Sequence, residues 1–169
     1  MTLRRGFRAG SSRNEAAERP ADPEAAWAAA VALLARRDLP SEELRERLEA
    51  RGFGPEAVAA ALNVLEREGT VNDERYARNF VAYHAGRGQG PVRIAAQLRT
   101  RGLAQPLIDA AIETGPDWRA LAAAARVRRF GKAAPGSWQE KARQARFLQY
   151  RGFSADHIRA ATGADPDTD

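Results

Sequence analysis

Arg51-Gly52-Phe53, Arg101-Gly102-Leu103 and Arg151-Gly152-Phe153 recur at intervals of 50 residues along a chain of 169. A leucine stands four residues before each glycine, at Leu48, Leu98 and Leu148. Six residues after each glycine stands a β-branched apolar residue, at Val58, Ile108 and Ile158. Self-similarity at a fixed period is the signature of one supersecondary unit repeated in tandem. Glycine takes the left-handed backbone conformation at little cost, so each of the three glycines is expected to end a helix with positive φ.

Working outward from Gly52, the first copy divides into three helices. Trp27, Ala30, Val31 and Leu34 follow helical spacing and are expected to face inward. Ser41 is placed as the N-cap of the second helix, with Glu42 and Glu43 at the positive end of its dipole and Leu44 and Leu48 on its inner face. Pro55 suits the first position of the third helix, whose apolar stripe is Val58, Ala61, Leu62 and Leu65. The second copy enters at Asn72-Asp73-Glu74 and continues through Ala77, Phe80, Val81 and His84. Ile94 and Leu98 then repeat Leu44 and Leu48, and Pro106 begins the helix that carries Ile108, Ala111 and Ile112. In the third copy Leu121, Ala124, Val127 and Phe130 lead to a loop around Pro135-Gly136. Ala145, Leu148, the cap Ser154, Ile158 and Ala161 follow. This copy diverges most, with Gln144 where Leu44 and Ile94 stood and Thr162 in place of Leu62 and Ile112.

These patterns predict an all-α protein of three tandem three-helix repeats. A unit of this size buries little apolar area alone, so the repeats should stack into an elongated, curved body. The expected boundaries are a disordered basic tail over 1–23, repeats over 24–72, 73–116 and 117–163, and a disordered acidic end over 164–169.

Charge is unevenly spread. Residues 24–74 hold 6 basic and 11 acidic side chains, a net of −5, whereas residues 75–163 hold 16 basic and 5 acidic ones, a net of +11. A basic stretch of that size points to a polyanionic partner, and the acidic repeat to a solvated or protein-binding face. The chain has no cysteine, so neither a disulfide framework nor a thiolate metal site is expected, and cytosolic residence is the default. No apolar run is long enough for a membrane span. His84 and His157 fall in different repeats, no carboxylates or imidazoles show metal-ligand spacing, and catalysis is not expected. Gly86-Arg87-Gly88-Gln89-Gly90 lacks a following Lys-Ser/Thr and joins two helices, so it is expected to be a flexible hinge and not a phosphate loop.

The ordered set of stretches resembles the RecX regulatory proteins. The resemblance runs from about Trp27 to Ile158. It rests on Leu34-Ala35-Arg36-Arg37 leading to Ser41-Glu42-Glu43-Leu44, and on Val71-Asn72-Asp73-Glu74-Arg75-Tyr76-Ala77. Gly90-Pro91 with Ile94 and Leu98, and Phe147-Leu148 with Tyr150-Arg151-Gly152-Phe153, complete it. Such a resemblance implies a monomeric, non-enzymatic protein without a cofactor. It would lie in the groove of the RecA filament on single-stranded DNA and restrain ATP hydrolysis, strand exchange and co-protease action.

Candidate contacts to the filament or to DNA phosphates are Arg87, Arg93, Arg99, Arg101, Arg126, Arg128, Arg129, Lys132, Lys141, Arg143 and Arg146. Of these, Arg93, Arg99, Arg126, Arg129 and Lys141 are expected on solvated faces. Trp138 and Tyr150 suit stacking on single-stranded bases, although packing in the core or between repeats is the expected role for both. Two other classes remain open on the residues alone: a sequence-nonspecific DNA-binding helical module, and a helical scaffold with no DNA role.

Overall fold

Side chains that accept orphan backbone N–H groups start five of the helices in the computed structural model, which describes residues 21–163. Asp22 caps α1 (Pro23–Leu34), Asn72 caps α4 (Asp73–Gly86), Asp117 caps α7 (Trp118–Phe130) and Ser137 caps α8 (Trp138–Arg151). Ser154 caps α9 (Ala155–Thr162), where the His157 ring completes a reciprocal capping box. Proline starts the others: α2 (Ser41–Glu49), α3 (Pro55–Arg67), α5 (Pro91–Thr100) and α6 (Gln105–Glu113). Among the described residues there are nine helices and no strand. Two local expectations shift by one residue. Pro40, not Ser41, is the N-cap of α2, because its extended backbone already offers its carbonyl to the Leu44 N–H at 3.0 Å. Pro106 is the second residue of α6, after Gln105.

The three helix stops are built alike. Gly52, Gly102 and Gly152 have φ of +90°, +82° and +90°. Each glycine N–H donates to the carbonyl three residues back. The next residue (Phe53, Leu103 or Phe153) donates to Leu48, Leu98 or Leu148 at 3.1–3.3 Å. This paired closure satisfies carbonyls that a helix end leaves orphaned and folds the following apolar residue back on the helix. Leu48, Leu98, Leu148 and Ile108 are fully buried, Val58 likewise, and Ile158 all but so.

In each repeat the first helix packs chiefly on the third: α1 on α3, α4 on α6, α7 on α9. Each repeat holds an apolar cluster, centred on Leu44, Leu48 and Leu62, on Ile94, Leu98 and Ile108, and on Leu148, Phe153 and Ile158, and Ala26, Ala57 and Ala61 form a smaller one between α1 and α3. Two expected stripes are rotated. On α1 the buried residues are Ala26, Ala30 and Leu33, while Trp27 and Val31 are each 37% exposed. On α7 Ala122 and Arg126 are buried, and Ala124 is exposed. α1 is apolar almost all round, and on α7 the run Ala122–Ala125 offers alanine on every side, so periodicity does not single out the face that the neighbouring helices cover.

The chain divides at Val71/Asn72 into two compact units, the second holding repeats two and three. Within that second unit the Gly86–Gly90 segment is not a free hinge. The Gly90 N–H donates to the Arg151 carbonyl at 2.8 Å and the Val92 N–H to the Gly152 carbonyl at 3.0 Å. Gly90 and Gly152 are buried against each other's repeats. A Cβ on Gly90 would lie 2.3 Å from the Gly152 carbonyl carbon, and one on Gly152 would lie 2.2 Å from Arg93 Cβ. Leu121 packs on the cores of both repeats, and the Trp118 indole N–H donates to the Ile112 carbonyl at 3.0 Å.

Gly52 and Gly152 therefore separate two costs of a side chain. Gly52 has no atom within 4 Å of its Cβ position, so Gly52→Ala should cost about 1 kcal/mol, from backbone conformation alone. Gly152→Ala and Gly90→Ala should each cost roughly 1–3 kcal/mol more through overpacking. Urea unfolding of the three variants measures this, and equal losses at Gly52 and Gly152 would disprove the junction between repeats.

Candidate nucleic-acid interface

Helices α7 and α8 carry most of the candidate cations, and one buried arginine sets how they face. Arg126 is only 7% exposed. Its guanidinium donates to the Ala133 carbonyl at 2.9 Å, the Lys132 carbonyl at 3.5 Å and Gln144 Oε1 at 3.4 Å. Gln144, where the other repeats place leucine and isoleucine, is thus a buried partner for Arg126, and the arginine holds the loop between α7 and α8. Arg126 does not lie on the solvated face expected of it, because its position on α7 points into the third core. Thr162, the other polar exchange, is also buried and donates its hydroxyl to the Ile158 carbonyl at 2.8 Å.

With Arg126 turned inward, Arg128 and Arg129 turn outward on α7. On α8 Gln144, Ala145 and Leu148 point inward, leaving Arg143, Arg146 and Tyr150 exposed. Phe130 and Phe147 meet edge to face at 5.3 Å. The Arg129 and Arg143 guanidiniums lie 5.9 and 5.2 Å from the Phe130 ring centre, and Arg151 lies 5.5 Å from that of Phe147. A shallow hollow of about 660 Å³ is lined by Arg129, Phe130, Arg143, Arg146, Phe147 and Tyr150. A second, of about 140 Å³, shares Arg129 and Phe147 and adds Arg87, Arg128 and Arg151.

The other candidates are scattered or engaged. Arg93 is half-buried, its guanidinium 5.7 Å from the Tyr150 ring centre and 3.4 Å from the Tyr150 carbonyl. Arg101 is half-buried with its guanidinium 5.1 Å from the Phe80 ring centre. Arg99 is exposed and donates to Gln105 Oε1 at 3.2 Å. Lys132 is exposed in the α7–α8 loop, and Lys141 is half-buried on α8. The packing expected for two aromatics is not observed: Trp138 is 66% and Tyr150 79% exposed. Sequence reasoning missed Tyr83, which is 60% exposed and accepts from the Arg87 guanidinium at 3.2 Å. Their i, i+4 spacing was the available signal. Phe130 and Phe147, far apart in the chain, gave none.

In the first unit three arginines are paired with carboxylates. Glu43 binds Arg37, and Arg47 at 2.8 Å, and Glu42 binds Arg45 at 3.3 Å. Burial alone would raise the Glu43 pKa, but hydrogen bonds and charge from Arg47 and Arg37 leave it below the usual carboxylate value. Both histidines are held below the ordinary imidazole value. For His84 burial comes first, then the charges of Arg101, Arg87 and Arg93. For His157 burial again comes first, with Arg119 adding to it against Asp156 and Asp117. His84 packs on Phe80 at 4.1 Å, and His157 Nδ1 lies 2.8 Å from Ser154 Oγ. Among the described residues no group of three or more His, Cys, Asp or Glu is placed to hold a metal, and no helix is long and apolar enough to cross a membrane.

Fold and surface together define a tandem helical-repeat protein of three three-helix domains with a cationic, aromatic face on its second unit. Family models described as the first, second and third three-helix domains of RecX match residues 26–65, 72–112 and 117–162. The chain is 46% identical over 153 residues to "Regulatory protein RecX" of Halorhodospira halophila, covering 90% of this chain and 95% of that one. It is 43% identical over 137 residues to the protein of the same name from Pseudomonas savastanoi pv. phaseolicola, covering 80% and 88%. A crystal structure of RecX from Lactobacillus salivarius shares the fold, with a TM-score of 0.74, 19% identity, and coverage of 83% of this chain and 94% of that one. The chain belongs to the RecX family of regulatory proteins.

Two outcomes follow from the buried polar groups. Arg126→Leu should destabilise the protein by about 1.5–3 kcal/mol, since it strands Gln144 and two carbonyls. Arg126→Leu with Gln144→Leu should recover part of that loss, and a double-mutant cycle in urea with no coupling would contradict the pairing. The histidines bind protons more tightly when unfolded, so stability should be full above about pH 6.5 and fall as pH drops toward their folded pKa values. His157→Gln keeps a capping acceptor without titrating. It should flatten the acid limb of Tm against pH, and an unchanged limb would remove His157 from the effect.

Proposed function

We propose that this chain binds the RecA filament on single-stranded DNA and restrains its ATP hydrolysis, strand exchange and co-protease action, as a cytoplasmic monomer without catalysis or cofactor of its own. The observation that carries this reading is the complete, ordered set of three RecX domains over the described residues. The charge pattern supports it: repeats two and three present guanidiniums on solvated helix faces, suited to phosphates or to acidic protein surface. A second reading, a sequence-nonspecific DNA-binding helical module, is favoured by the exposure of Trp138 and Tyr150. Dependence on assembled RecA separates the two.

RecA ATP hydrolysis on single-stranded DNA should fall when the protein is added in substoichiometric amounts. An unaltered rate at saturating protein refutes the regulatory reading. Charge reversal should be confined to exposed groups, because Arg126→Glu would bury a carboxylate against the Lys132 and Ala133 carbonyls and Gln144 Oε1. Glutamate at Arg99, Arg128, Arg143 and Arg146 should abolish inhibition with helicity intact by circular dichroism. Full inhibition by that variant would move the filament contact to another surface, such as the acidic first repeat.

A further inference from the structure

The two hollows beside α7 and α8 share Arg129 and Phe147, so they are neighbouring parts of one track. At one end Arg87, stacked 5.5 Å from the Tyr83 ring centre, and Arg128 line the smaller hollow. At the other, Arg143, Arg146 and Tyr150 line the larger. Among the described residues, ion pairs engage Arg37, Arg45, Arg47, Arg78 and Arg159, and none of the track's guanidiniums. Arg87, Arg129, Arg143 and Arg151 lie instead over aromatic rings, which stabilise a cation without cancelling its charge, and Arg128 and Arg146 are exposed to solvent.

We propose that this track is a binding site for single-stranded nucleic acid that works without RecA: phosphates on Arg87, Arg128 and Arg146, and unstacked bases on Tyr150 and on the guanidinium planes above Phe130. The proposal rests on the DNA-facing part of the function proposed above and assigns it to particular residues. Single strands offer both features that the track presents partners for, a line of negative charge and free π faces. A duplex hides its base faces, and an acidic protein surface would use the arginines but leave the exposed Tyr150 ring idle. The larger hollow, about 660 Å³, lies within the roughly 300–1,000 Å³ typical of sites for small organic molecules, ample for a flat base. The smaller, about 140 Å³, carries four guanidiniums, of Arg87, Arg128, Arg129 and Arg151, on an otherwise apolar wall, and these are the groups that would meet a phosphate.

The test is fluorescence anisotropy of a labelled oligo-dT with the full chain and no RecA, over a series of salt concentrations. An abasic oligonucleotide of the same length is run beside it. The wild-type protein should bind oligo-dT about ten-fold more tightly than the abasic strand. Tyr150→Ala should erase most of that preference. Arg128→Glu with Arg146→Glu should flatten the logarithmic salt slope by about 1.4, at roughly 0.7 for each phosphate contact on a single strand. Arg36→Glu, exposed in the first unit, should change neither. Equal wild-type affinity for both strands overturns the stacking site, and that comparison needs no variant to fold. Absence of binding to either strand overturns the site altogether. If RecA ATP hydrolysis is still inhibited in that case, the regulatory reading stands and the track meets protein. If inhibition is missing while oligo-dT binds as described, the track stands and the RecA reading falls.

Discussion

The carbonyls of Leu48, Leu98 and Leu148 are the groups on which the architecture depends. Each accepts the N–H of an apolar residue five positions on, across a glycine of positive φ. That bond stops the second helix of the repeat with its leucine side chain in the core. It also fixes where the chain re-enters, so that Val58, Ile108 or Ile158 lands on the same core six residues past the glycine. Lengthening the helix by one turn would swing that β-branched residue away from the leucine. In the third repeat the same turn has a second use. Its Arg151 and Gly152 carbonyls receive the N–H groups of Gly90 and Val92, which begin α5 of the second repeat. A local helix stop thereby becomes the fastening between two repeats, which is why Gly152 is enclosed whereas Gly52 is open.

The parts of this fold legible in the sequence are those set by local chemistry. The helix stops, the caps at Asn72 and Ser154, and the stripe from Val58 to Leu65 all follow from residue type and period. What was hidden depended on partners distant in the chain. The buried faces of α1 and α7 differ from the expected ones because alanine packs on any side of a helix. Arg126 sits in the run Arg126-Val127-Arg128-Arg129, where nothing local distinguishes the one arginine that points inward from two that point out. The Gly86–Gly90 segment has the composition of a hinge, yet Gly88 is needed for a φ of +79° and Gly90 for the close approach of Gly152. Composition reports that glycine is required and not which of its two properties is used.

The departure of the third repeat from the apolar pattern has a physical account. Two positions that carry leucine or isoleucine elsewhere hold Gln144 and Thr162, and both polar groups are bonded. Thr162 satisfies itself on its own helix. Gln144 takes part in a buried network with Arg126, whose other bonds reach the loop carbonyls of Lys132 and Ala133. Such a network contributes little net stability over an apolar core, since desolvating a guanidinium offsets most of the bond energy. What it does fix is the path of the α7–α8 loop, and with it the rotation of both helices. That rotation places Arg129, Arg143 and Arg146 on one side.

Arginine pairs with carboxylates in both units, at Arg78 and Arg159 in the second, and it is in the second that it also lies over aromatic rings. In the first, arginines meet carboxylates: Arg37 and Arg47 share Glu43, and Arg45 pairs with Glu42. The charges of these three arginines are neutralised locally, in a repeat that is acidic as a whole. In the second, Arg129 and Arg143 flank Phe130, Arg151 lies over Phe147, and Arg93 lies over Tyr150. An aromatic face attracts a cation through its quadrupole, which holds the guanidinium in place and leaves its full positive charge directed at solvent. Packing arginines close together in this way raises their mutual repulsion. That cost is relieved whenever a polyanion binds, so the arrangement exchanges some stability of the free protein for attraction to a negatively charged partner.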